Sequence, residues 1–277
     1  MTSKHESDDL NLEDKHHRAR KTTEGGRCLV PYGSFAQQSC SYRWQAYMQA
    51  LTDSKDYNWD KYKSLGRRRK LVLIRQRKAE KGEKRWEEAE VKSPKAREWD
   101  VSEDSSNFKR SCNKPYWFEA HHIIPHSQLR GAITDVGKGR PNADRLSLVV
   151  RRGLLEESYN LNHKKNMLIL PMDGLVAEAL ELPKHLATPD HRDHPRYSKY
   201  VEDKLNKYFD PVKESISRHK KKIEYRPVRK KLEALSALLR RKIKALGKKL
   251  WAKQDDVSLN DINPKKPKKG SLRSLDV

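Results

Sequence analysis

The stretch Glu119-Ala120-His121-His122-Ile123-Ile124-Pro125 sets two imidazoles side by side at the end of an apolar run, an arrangement that core packing explains poorly. Successive side chains on a strand point to opposite faces, so His121 and His122 do not serve one ion in the same way. Their work is divided: one neutral imidazole binds a divalent cation while its neighbour, titrating near neutrality, takes a proton from water. That division suits metal-dependent hydrolysis of a phosphodiester. Two more chemistry-bearing stretches follow in order, Asn166-Met167-Leu168-Ile169-Leu170-Pro171 and His191-Arg192-Asp193-His194-Pro195-Arg196-Tyr197.

These residues need elements to hold them. Tyr116-Trp117-Phe118 leads as a strand into the histidine pair, and Pro125 stops it. A helix near Ser127 to Ile133 and a loop from Gly137 to Asn142 come next, and the apolar residues before Pro171 form a second strand entered by a turn. Gly174 to Leu182 makes a short helix that Pro183 ends. His194-Pro195 marks a helix entrance, since proline at the first helical position loses only an N–H that has no partner there anyway. His194, Tyr197, Val201, Leu205 and Tyr208 then share one face. At the positive end of that helix the imidazolium is disfavoured, and the neutral, metal-binding form of His194 is favoured.

Of 277 residues only 35% are hydrophobic and 36% are charged, so a compact core must carry long solvated flanks. Lys and Arg number 61 against 38 Asp and Glu, a surplus of +23 that points to a polyanion, nucleic acid before an anionic membrane surface. No run approaches the roughly 20 apolar residues of a spanning helix, and the first 20 residues lack the apolar stretch of a secretory signal. Cys28, Cys40 and Cys112 are scattered, which suggests neither a disulfide framework nor a thiolate zinc site.

Residues 1–26 read as a disordered leader and 27–107 as a helical basic region, with an amphipathic helix from Cys28 to about Leu51 and a long charged helix over 61–99. The core is expected over 108–210. From residue 211 the chain carries 21 Lys and Arg against 7 Asp and Glu. Leu232, Leu235, Leu239, Ile243, Leu246 and Leu250 mark one more amphipathic helix there, before a flexible arm around Pro264 to Gly270. A Leu stripe at this spacing is expected to dock on the core.

The three ordered motifs, Ala120-His121-His122, Asn166 to Pro171, and His194-Pro195-Arg196-Tyr197, resemble the AHH group of the HNH/endonuclease VII superfamily of nucleases. The resemblance covers about Trp117 to Phe209. It implies a small ββα-metal core; with the flanks as read above, the expected class is α+β, mainly helical, with long basic helices and disordered termini around that core. Carried over position by position, His121 and His194 are metal ligands, His122 is the general base, and Asn166 holds the base and its loop in register. The third ligand stays open between His191, His185 and water. Arg130, Lys164, Lys165 and Arg196 stand near enough to the motifs to contact phosphate.

The implied activity is a metal-dependent endonuclease acting on DNA, with RNA as the alternative substrate, and with one divalent ion: Mg²⁺, Mn²⁺, Zn²⁺ or Ni²⁺. The resemblance further implies a secreted antibacterial toxin, made in the cytoplasm without a signal peptide and acting in a target cell. An acidic immunity protein and a secretion-apparatus carrier or chaperone would accompany it. Rival readings are a non-catalytic nucleic-acid-binding protein with a structural metal site, and a basic membrane-active or helix-pairing protein that depends on the Leu stripe.

Overall fold

A computed structural model describes residues 26–33, 35–63, 98–102, 106–109, 114–185, 194–220, 222–253 and 257–262, and the backbone of two further strands at 71–78 and 84–91. The chain is mainly helical with small antiparallel sheets, in keeping with an α+β class. Among the described residues the helices are α1 (Tyr42–Thr52), α2 (Ser54–Tyr57), α3 (Trp59–Tyr62), α4 (His126–Asp135), α5 (Ala143–Glu156), α6 (Gly174–Leu180), α7 (Pro195–Ser217) and α8 (Arg226–Leu250). Strands β1 (Leu71–Lys78) and β2 (Lys84–Val91) form one pair, β3 (Phe118–His122) and β4 (Met167–Pro171) the other. No helix among the described residues is long and apolar enough to cross a membrane.

β4 is Met-Leu-Ile-Leu-Pro and is buried along its whole length, which explains why its sequence is an unbroken apolar run rather than an alternation. It runs antiparallel to β3, with His121 opposite Leu168 and His122 opposite Met167. Below the pair lies an aromatic cluster. Phe108 stacks edge-on against Tyr57, Tyr116 and Phe118, and Tyr62 and Trp99 pack at 4.9 Å between ring centroids. The Tyr57 hydroxyl donates to the Ile169 carbonyl at 2.8 Å, so this buried polar tip is satisfied by the strand itself.

Two expectations for the amino-terminal region change. The amphipathic helix starts at Tyr42, not near Cys28, because Ser41 caps it by accepting the Trp44 N–H at 3.2 Å. The long helix expected over 61–99 is replaced by the antiparallel β1–β2 hairpin, in a register that sets Arg75 opposite Glu87 and Leu71 opposite Val91. The run Leu71-Val72-Leu73-Ile74 contains two β-branched residues, which favour a strand. Dense charge had outweighed that signal in the sequence pattern.

The expected boundary between residues 210 and 211 falls inside α7, and one hydrophobic cluster takes in residues from both sides of it. The Leu stripe docks as expected: Leu232, Leu235, Leu239 and Ile243 of α8 are buried in the core that also holds Tyr47 and Leu168. Close approach is secured by Gly247, where a Cβ would lie 2.1 Å from the Glu181 carbonyl oxygen. Arg240 of α8 donates to the carbonyls of Lys164, Lys165 and Met167 and reaches Asp53 of the α1–α2 turn at 3.3 Å. The basic helix is thus part of the fold. The leader before residue 26 and the arm after residue 262 lie outside the described residues.

Candidate metal centre

β3 divides its two histidines as the pleat requires. His121 faces the start of α7, with its ring 5.2 Å from that of His194 and 5.4 Å from that of Tyr197. His122 faces the other way and meets Tyr42 at the head of α1, 5.1 Å between rings. Opposite faces are the geometry expected of neighbours on a strand.

His121, His185 and His194 converge: each offers one ring nitrogen within 4.8 Å of the others, and the three rings are mutually 5.0–5.2 Å apart. His121 Nδ1 and His185 Nε2 are 3.1 Å apart. Two nitrogens that bind one tetrahedral ion at about 2.05 Å lie about 3.3 Å from each other, so this separation already approaches that of paired ligands. His194 is the N-cap of α7, as its Pro195 neighbour foretold, and its Nδ1 lies 3.1 Å from the Ser198 hydroxyl one turn on. His185 is placed by its backbone, whose N–H donates to the Pro171 carbonyl at the end of β4 at 2.9 Å.

The close contact joins Nδ1 of His121 to Nε2 of His185; the opposite nitrogens, His121 Nε2 and His185 Nδ1, are buried with no hydrogen-bond partner, a costly state for polar atoms. Burial holds His185 down to about 3, with His194 adding to the effect. Burial, then the neighbouring His185, His194 and His122, hold His121 well below the ordinary imidazole range. All this keeps the rings of His121 and His185 neutral, which is the form that donates a lone pair to a metal.

His122 is half-buried, and burial with a contribution from His126 brings it down to about 4, below the near-neutral titration expected of it. Its Nε2 lies 2.8 Å from Asn162 Oδ1, a bond that works in the opposite direction by favouring the charged ring. The Asn162 amide is oriented by its Nδ2, which donates to the Val30 carbonyl at 2.8 Å. Its oxygen is therefore an acceptor, His122 Nε2 must carry the proton, and Nδ1 is left with the lone pair.

Asn166 joins the two strands to what surrounds them. Its Oδ1 accepts the Ile124 N–H at 2.9 Å and the Ser236 hydroxyl at 2.7 Å, while its Nδ2 donates to the Leu161 carbonyl at 2.8 Å. Its own carbonyl accepts the Ile123 N–H at 2.8 Å, and Tyr197 donates its hydroxyl to the Ile123 carbonyl. The chain leaving His122 is held on every side.

The structure brings together His121 and His194, with His122 adjoining them and Asn166 bracing the exit of β3. His185 stands where the third ligand was left open; His191 lies outside the described residues. Of the expected phosphate contacts, Arg130, Lys165 and Arg196 are exposed and Lys164 is half-buried. Lys164 and Lys165 occupy the short turn ahead of β4, Arg196 the first turn of α7, and Arg130 the middle of α4. Sequence reasoning missed Asn162, Ser236 and Arg240. An Asn four positions ahead of Asn166, next to the apolar Leu161, was a faint signal for the first, and a lone Ser inside the Leu stripe for the second.

Compared with family models, with curated proteins and with solved structures, the chain matches none.

Proposed function

We propose that this protein is a metal-dependent endonuclease with a ββα-metal core built from β3, β4 and α7, hydrolysing phosphodiester bonds in DNA. The observation that carries the reading is the convergence of His121, His185 and His194 beside a fourth histidine whose Nδ1 is left as acceptor. Three protein ligands among the described residues leave positions for water and phosphate, as catalytic sites do, whereas a structural zinc site is closed by four. That favours the enzyme over the nucleic-acid-binding protein with a structural metal.

Three imidazoles are a borderline-soft donor set, which suits Zn²⁺, Ni²⁺ or Mn²⁺ better than Mg²⁺. When bound, such an ion stabilises the charge that develops on the phosphoryl and leaving oxygens. The chain's own residues do the rest. His122 accepts the proton of the attacking water at Nδ1, Asn162 fixes the tautomer and the ring plane, and Asn166 fixes the loop from which the base projects. Exposed Arg130, Lys165 and Arg196 supply phosphate contacts that orient without reading sequence.

A plasmid-nicking assay tests this. Wild type nicks with added metal and stops in EDTA, while His122→Ala and His194→Ala bind DNA and do not cut. Cutting by either variant at the wild-type rate refutes the assignment. Delivery as a toxin, a secretion-apparatus carrier and an acidic immunity partner extend the proposal on the strength of the motif resemblance and the net charge of +23. Co-expression with an acidic neighbour that neither binds nor relieves toxicity counts against that extension.

A further inference from the structure

A groove of about 260 Å³ opens between α4 and α5, lined from α4 by His126, Leu129, Arg130 and Ile133 and from α5 by Asp144, Ser147, Leu148 and Arg151. The α5 residues recur at three- and four-residue spacing, so one stripe of that helix borders the opening. Leu29 and Val30 close the bottom, and with Leu129 and Ile133 they are buried, whereas Arg130 and Asp144 are exposed at the rim. The result is an apolar floor under a polar edge of His126, Arg130, Arg151, Ser147 and a single carboxylate.

The groove adjoins the proposed base. Val30, part of its floor, accepts a hydrogen bond from Asn162, whose oxygen meets His122. His126, on its wall, is close enough for its charge to act on His122.

We propose that this groove receives one unpaired nucleotide of the substrate, next to the bond that is cut. The chemistry of the lining selects that occupant: two arginines and a histidine against one aspartate attract the phosphate, and the apolar floor takes the face of a base. Asp144 and Ser147 are placed to meet amino and imino groups on the base edge, as carboxylates do with the N4 amino group of cytosine. Pockets for drug-sized ligands run to about 300–1,000 Å³, so a space just below that range fits a single nucleotide and no more. A base can enter only when unstacked, so the groove makes the enzyme prefer unpaired over fully paired DNA.

The inference rests on the nuclease reading, and two measurements keep their failures apart. Binding of dCMP to the metal-free full-length protein is followed by NMR or equilibrium dialysis. Wild type binds it, and Leu148→Trp, which fills the groove, and Arg151→Gln, which removes a cation from its edge, each weaken binding about tenfold, the size of one lost favourable contact. In parallel, wild type cuts a duplex carrying an unpaired bubble faster than the same duplex fully paired, and in both variants that ratio falls toward one. Absence of dCMP binding by the folded wild type, or an unchanged ratio in both variants, overturns the groove site even if nicking persists. Groove-dependent dCMP binding without nicking by any metal upholds the groove as a nucleotide site and overturns the nuclease instead.

Discussion

Metal-free protein should lose stability steeply as it is acidified through the histidine range. His185 is held near 3 and His122 near 4 in the fold, against about 6.5 for a free imidazole. Below pH 6.5 the unfolded chain therefore takes up protons that the native state refuses, so stability is full above about pH 7 and falls as pH drops toward the native values. At pH 5 each of these two residues costs about 2 kcal/mol, about 4 kcal/mol together, with His121 adding in the same direction. At about 2–4 °C per kcal/mol for a chain of this size, the melting temperature drops by about 8–16 °C between pH 7.5 and 5. Urea titrations in EDTA at pH 7.5, 6 and 5 read the loss directly. His185→Gln, which cannot titrate, should recover about half of the loss assigned to the two residues. A flat profile between pH 7.5 and 5, or an undiminished slope in His185→Gln, would show that these rings are not held neutral by burial.

Adding Zn²⁺ at 100 times its dissociation constant should raise stability at pH 7 by about 2.7 kcal/mol, visible as an upward thermal shift that His185→Ala and His194→Ala lose. An identical shift in those variants would place the ion elsewhere. Asn166→Ala should cost about 2–4 kcal/mol in urea unfolding, since it strands the Ile124 N–H, the Leu161 carbonyl and the Ser236 hydroxyl in the interior. It should also slow nicking more than it weakens DNA binding, and equal effects on both would make Asn166 a purely structural residue.

Local chemistry made much of the site readable before any coordinates. Pro195 announced the start of α7, and with it the N-cap position of His194, because proline's fixed geometry and missing N–H suit the first turn of a helix best. The unbroken apolar run of β4 and the Leu stripe of α8 declared burial on two faces and on one. His185 carried no such mark. It joins the cluster through a backbone bond to Pro171, and no side-chain pattern encodes that contact. The β1–β2 hairpin was hidden for a different reason: its charges alternate as densely as on a solvated helix, and the pairing of two separate segments leaves no mark in either one alone. Ser236 and Arg240 act on β4 and its approach from more than sixty positions away, beyond the reach of any local periodicity.

The bracing of Asn166 by Ser236, and of the turn before β4 by Arg240, gives the order of synthesis a meaning. When the last histidine of the cluster has been translated, the helix that steadies their scaffold has not. The brace on the turn before β4 thus arrives late, only after α8 has closed over it.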